Sequence, residues 1–157
     1  MLLVLMSAGF AMCNLKPVFL RCENLVDPMG IGMHHPRLSW KVEASKAGLR
    51  DLKQNTYEII VATDPKNLSP EKADVWYSGT VRSDATYGIE IPQSAKVAKF
   101  TPFKQYFWTV RVSDEHGNTS AWSKPATFGT GPMSDKDWQA DWIGFDKPVD
   151  TVKKRDG

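Results

Sequence analysis

An all-β sandwich is the fold class this sequence predicts, and three observations predict it. Short runs with period-two alternation recur along the chain, each bounded by Pro, Gly, Asn or Asp. One stretch, Gln105 to Phe128, spells a β-hairpin. In it Tyr106, Trp108, Val110 and Val112 share one face, Phe107, Thr109, Arg111 and Ser113 share the other, and Asp114-Glu115-His116-Gly117-Asn118 supplies the turn. Inside the domain only Pro65 to Ala73 reads as a helical turn, with Ser69 as a cap ahead of Pro70.

The strands follow in order. Val18 to Leu25 is the first. Arg37 to Glu43 turns Leu38, Trp40 and Val42 to one side, and Trp40 in mid-strand is expected in the core rather than as a ligand platform. Tyr57 to Thr63 gives Tyr57, Ile59 and Val61 a common face. Val75 to Val81 is shorter, with Gly79 marking an edge or bulge. Gly88 to Ile91 is ended by Pro92, and the hairpin adds Gln105 to Ser113 and Ala126 to Gly129. Seven such strands in about 110 residues specify a seven-stranded immunoglobulin-like sandwich. Tyr106 begins its strand shortly after Thr101-Pro102, where such sandwiches place a tyrosine whose hydroxyl returns to the backbone at the corner. Arg111 and Trp122 are placed either to stack as a cation-π pair or to leave the arginine solvated.

The chain has 157 residues, 41% hydrophobic and 24% charged, with a net charge of +2, which fits one domain plus flanking sequence. That balance offers no broad basic surface, so nucleic acid is not expected as a partner. Six Trp are a surplus that must fill a core or cover an interface.

Residues 1–13, MLLVLMSAGFAMC, read as a signal-like apolar segment, too short to span a bilayer, with Gly9 and Ala11 at the small-residue positions before a cleavage site. No Lys or Arg precedes the run, which points either to a start further upstream or to a remnant. Cys13 then stands where a bacterial lipoprotein carries its lipidated cysteine, although Met12 departs from that pattern; the alternative is an incidental thiol. A membrane association is expected only with lipidation at Cys13. Cys22 reads as a small buried hydrophobe, and spacing alone implies no Cys13–Cys22 disulfide.

Catalytic and metal chemistry finds little support in the residues. His34 and His35, adjacent and followed by Pro36, cannot share a helix face as zinc ligands do, and read as loop residues. Asp114 and Glu115 lie in a turn and Asp135, Asp137 and Asp141 in the tail, with nothing to build the paired-carboxylate pocket of a glycosidase. No cofactor motif is present. Asn67-Leu68-Ser69 and Asn118-Thr119-Ser120 match the glycosylation pattern, which is chance if the leader is bacterial. From Gly129 the composition becomes linker-like. Beyond it Trp138, Trp142, Ile143 and Phe145 have nothing behind them to pack on, and the final TVKKRDG is polar.

Six segments, LRCENLVDPMGI, HPRLSWKVE, TYEIIVAT, DVWYSGTVRSD, QYFWTVRVSDEHGNTSAWS and DWQADWIG, occur in the order and spacing seen at the N-terminus of bacterial α-L-rhamnosidases, which are multidomain glycoside hydrolases. The resemblance runs from Leu20 to about Gly144. It implies a fibronectin type III-like sandwich over 17–131, then a linker and the start of a second β-domain over 132–157. It also implies that the catalytic carboxylates belong to a helical barrel outside this chain, so that the chain is a non-catalytic piece needing no cofactor. The expected role is to pack against and orient the neighbouring domains of an exported enzyme, periplasmic, outer-membrane-anchored or extracellular. Two alternatives stand beside it. One is a module binding rhamnose-containing carbohydrate through exposed aromatics, with Trp76, Tyr77, Trp138 and Trp142 as candidates for sugar or domain contact. The other is a stand-alone adhesion-type sandwich.

Overall fold

Two antiparallel sheets face one another in the computed structural model, which describes residues 13–92 and 100–138. The smaller sheet joins β1 (Leu15–Cys22), β2 (Arg37–Ala44) and β6 (Ile89–Glu90) in the order β1-β2-β6. In the larger sheet β3 (Gln54–Ala62) lies against β7 (Gln105–Asp114), and β7 carries β8 (Ala126–Gly129) on its other side. Both β4 (Trp76–Tyr77) and β5 (Val81–Arg82) run along the outer edge of β3.

The core forms where the alternation predicts it. Tyr106, Trp108, Val110 and Val112 are all buried on the inner face of β7, opposite Leu38 and Trp40 of β2 and beside Tyr57, Ile59 and Val61 of β3. Trp40 meets Tyr57 edge to face at 5.4 Å between ring centroids, and its indole N–H donates to Gln54 Oε1 at 3.1 Å. A second aromatic group, Phe100, Tyr106 and Phe128, closes the other end of the sandwich with centroid separations of 4.9 to 5.6 Å. Arrangements of this kind are worth about 0.5–1.5 kcal/mol per pair beyond area burial.

Three elements differ from the sequence reading. The first strand ends at Cys22 rather than Leu25, because Glu23 and Asn24 take positive φ (49° and 65°) and close a tight turn in which Cys22 and Leu25 exchange backbone hydrogen bonds of 3.0 Å. It also starts earlier, so that Cys13 and Leu15, ahead of residue 17, belong to the core. The expected strand Val75 to Val81 is broken into β4 and β5 at Gly79, whose φ of +62° carries the chain across the sheet edge, so eight strands are formed among the described residues. The helical turn is smaller than expected. A 3₁₀ turn covers only Pro65–Asn67 and its cap is Asp64, whose carboxylate accepts from Lys66 N at 2.8 Å; Ser69 instead opens a single turn closed by Ala73 N.

The hairpin turn after β7 is held by one side chain. Asp114 accepts from the backbone N–H groups of His116 and Asn118 and from the Asn118 amide, each at 2.9 Å, while Gly117 supplies the positive φ.

Candidate interdomain surface

Of the four residues predicted to touch sugar or a neighbouring domain, three are described, and Trp76 and Tyr77 turn to opposite faces of the larger sheet. Trp76 pairs with Val61 and packs half-buried against the core, whereas Tyr77 pairs with Ile60 and therefore points to the outer face of the larger sheet. There the Tyr77 hydroxyl donates to Glu58. Trp138 is 61% exposed, and Trp142 lies outside the described residues, as does the signal-like segment up to residue 12. Asn67 and Asn118, the glycosylation candidates, donate their side-chain amides to Asp74 and Asp114.

Cys13 is buried, with Sγ directed at the Val112 carbonyl at 4.0 Å, and this packing does not support a lipid anchor on that sulfur. Burial raises its pKa, and burial together with the Glu23 charge pushes the Cys22 thiol up to about 12. Both cysteines are free thiols. Since the thiolate is the reactive species, a disulfide-exchange reagent at pH 8 is expected to label neither cysteine quickly in the native protein and both at once in urea. Fast native labelling of Cys13 would place its sulfur outside the core.

The corner between the sheets and the point where the chain leaves the sandwich are built as one unit. Thr101 N donates to the Tyr106 hydroxyl at 2.9 Å, the corner contact expected of that tyrosine. Thr101 and Lys104 in turn hold Thr130. Its hydroxyl accepts from Lys104 N at 2.9 Å and donates to the Thr101 carbonyl at 2.6 Å, while Thr130 N donates to the Lys104 carbonyl.

From the opposite side, residues 28–31 run beside residues 129–131. Gly129 N donates to Pro28 O at 2.7 Å, Ile31 N to Gly129 O at 2.8 Å and Gly131 N to Ile31 O at 2.9 Å. Asp27 adds a carboxylate that accepts from Thr127 N at 2.7 Å. The approach is close enough that a Cβ on Gly131 would stand 2.8 Å from the Gly30 carbonyl oxygen. Past Pro132, Asp137 accepts from Met133 N, Ser134 N and the Ser134 hydroxyl, folding the next residues into a capped 3₁₀ turn.

Residues 129–131, linker-like in composition, are thus bonded into the sandwich, and Thr130 is buried. Gly131→Ala is expected to destabilise by about 1–2 kcal/mol, an overpacking cost against backbone that has no rotamer to yield. A urea midpoint equal to that of the unaltered protein would show that the two segments do not touch.

The fold defines an immunoglobulin-like sandwich module whose residues 129–131 are hydrogen-bonded on two sides. The model of the Rha78A-like, N-terminal immunoglobulin domain matches residues 17–134, and the chain belongs to that family. An α-L-rhamnosidase of Streptomyces avermitilis is 37% identical over 135 residues, which are 86% of this chain and 12% of that protein. Among solved structures, the Streptomyces avermitilis α-L-rhamnosidase complexed with L-rhamnose superposes with a TM-score of 0.72 at 33% identity, covering 83% of this chain and 12% of that one. The α-L-rhamnosidase from Dictyoglumus thermophilum also gives 0.72, at 32% identity, over 82% and 14% of the two chains. The chain thus matches the N-terminal domain of these glycoside hydrolases and spans about an eighth of their length.

Proposed function

We propose that this chain acts as the non-catalytic N-terminal module of an exported α-L-rhamnosidase and fixes the orientation of the region that follows it. The observation that carries the orienting role is the double clamp on the exit: Thr130 and Gly131 are bonded to the Thr101–Lys104 corner on one side and to Ile31 on the other. A flexible linker would let the following domain diffuse through many orientations. A clamped exit limits it to few. The family match supports the enzyme assignment, and the work of hydrolysis belongs in this reading to residues beyond the module.

Two measurements test it. The purified 157-residue chain is expected to release nothing from an aryl α-L-rhamnoside; turnover abolished by a carboxylate substitution within it would overturn the non-catalytic assignment. In a full-length enzyme carrying this module, replacing residues 129–138 with a Gly/Ser linker of equal length is expected to lower turnover and hasten thermal inactivation. If both are unaffected, the orienting role is wrong even though the family assignment stands.

A further inference from the structure

An apolar groove of about 410 Å³ opens beside the exit, walled by Pro28, Met29, Phe103, Gly129 and Pro132 with Lys104 at its rim. Two of its side chains are turned to solvent in a way that folding alone does not explain. Met29 is 91% exposed and Phe103 67%. Phe103 also holds a φ of +56°, a conformation that is an outlier for a bulky residue and that glycine or asparagine would adopt with less strain. Lys104, bonded through both its N–H and its carbonyl to Thr130, keeps Phe103 in that outward position. Strain maintained by surrounding bonds, on a ring facing outward beside an apolar groove, marks a surface built to be covered.

We propose that the covering element is the segment Asp141-Trp142-Ile143-Gly144-Phe145-Asp146 of this same chain. Its chemistry fits the groove. Trp142, Ile143 and Phe145 are apolar, and the flanking Asp141 and Asp146 are opposite in charge to the Lys104 that lines the groove. Its tether fits too: Pro132 is itself part of the groove wall, and Trp142 follows ten residues later, a reach of up to roughly 33 Å at about 3.3 Å per residue. Because the segment is joined to the groove wall, its effective concentration there far exceeds that of any separate molecule. Trp138 is not the occupant, since its own ring stays mainly exposed. The docking does not depend on the rhamnosidase reading and is tested without any activity measurement.

The test is methyl NMR of the 157-residue protein labelled at the methionine ε-methyl groups, with a water-soluble nitroxide added as a broadening agent. In the unaltered chain the Met29 methyl is expected to be several-fold less broadened than in the double variant Trp142→Ala, Phe145→Ala. Met33, 46% exposed and not part of the groove wall, should broaden equally in both. Unchanged shifts of the Val110 and Val112 methyls in a valine-labelled sample confirm that the variant keeps its core. Equal broadening of Met29 in the two proteins overturns the proposal. So does protection of Met29 that disappears on dilution, because a second copy rather than the chain's own segment would then cover the groove.

Discussion

Trp108→Ala is expected to lower stability by about 3–5 kcal/mol, the range for emptying a fully buried aromatic site. Trp108 has no exposed surface, lies near the middle of β7 and pairs with Val61 and Ala126, so strands on both sides would line the cavity. With a urea slope of about 1–3 kcal/mol/M for a small domain, the midpoint should fall by more than 1 M. The corresponding Phe variants separate packing from hydrogen bonding. The Trp108 indole N–H has no hydrogen-bond partner among the described residues, so Trp108→Phe loses volume but also removes a buried donor whose desolvation costs about 1–3 kcal/mol. Trp40→Phe loses volume and strands the Gln54 carbonyl oxygen. The Gln54 amide is already committed to Ser83 O and Ala85 O and cannot turn away without breaking those bonds. Trp40→Phe is therefore expected to cost more than Trp108→Phe, although Trp108 is the more buried ring. The reverse order would mean that volume alone sets the cost.

The inner faces of the two sheets were legible because period-two alternation is a local signal that burial enforces along a whole strand. Tyr106, Trp108, Val110 and Val112 show it, and so do Tyr57, Ile59 and Val61. The ends of β1 were not, because the shift of register between Val18 and Arg21, with Phe19 at a φ of +51°, breaks the alternation. The turn that ends this strand uses Glu23 and Asn24, neither a Gly nor a Pro. The exit was legible only in part. Gly-Thr-Gly-Pro has the composition of a flexible linker, but Gly131 is required by contact with Gly30, about a hundred residues earlier, and no local pattern distinguishes the two uses of glycine. The groove at Met29 and Phe103 escaped for the same reason: its walls come from three separated segments. The Arg111–Trp122 stack, by contrast, is one of the two alternatives the sequence offers for that arginine, and the guanidinium lies 4.6 Å from the ring centroid.

Acid is expected to weaken this domain in part through Glu58, whose carboxyl is held below its ordinary pKa. Glu58 faces outward from β3, opposite Arg111 in register, and accepts from Arg111 Nη2 at 2.9 Å and from the Tyr77 hydroxyl. Burial alone would raise its pKa; the hydrogen bonds from Arg111 and Tyr77 and the Arg111 charge more than offset that and hold the carboxyl below its ordinary value of 4.5. A carboxyl whose folded pKa is depressed binds fewer protons in the folded state, so its contribution is complete above the unfolded pKa and is lost as pH falls through the folded one. Asp74, bonded to Thr63 and Asn67, and Asp114, bonded within its turn, are also depressed and steepen the same acid limb. Glu58→Gln is expected to cost about 2–3 kcal/mol at pH 7, within the range for hydrogen bonds to a charged group, and to leave Arg111 stacked on Trp122 without its anion. Urea midpoints of the two proteins should converge as pH falls below 4.5, where protonation removes from the unaltered chain the charge that the substitution has already removed. A gap that stays constant from pH 7 to pH 3 would mean that Glu58 stabilises the sheet by packing and neutral hydrogen bonds rather than by its ion pair with Arg111.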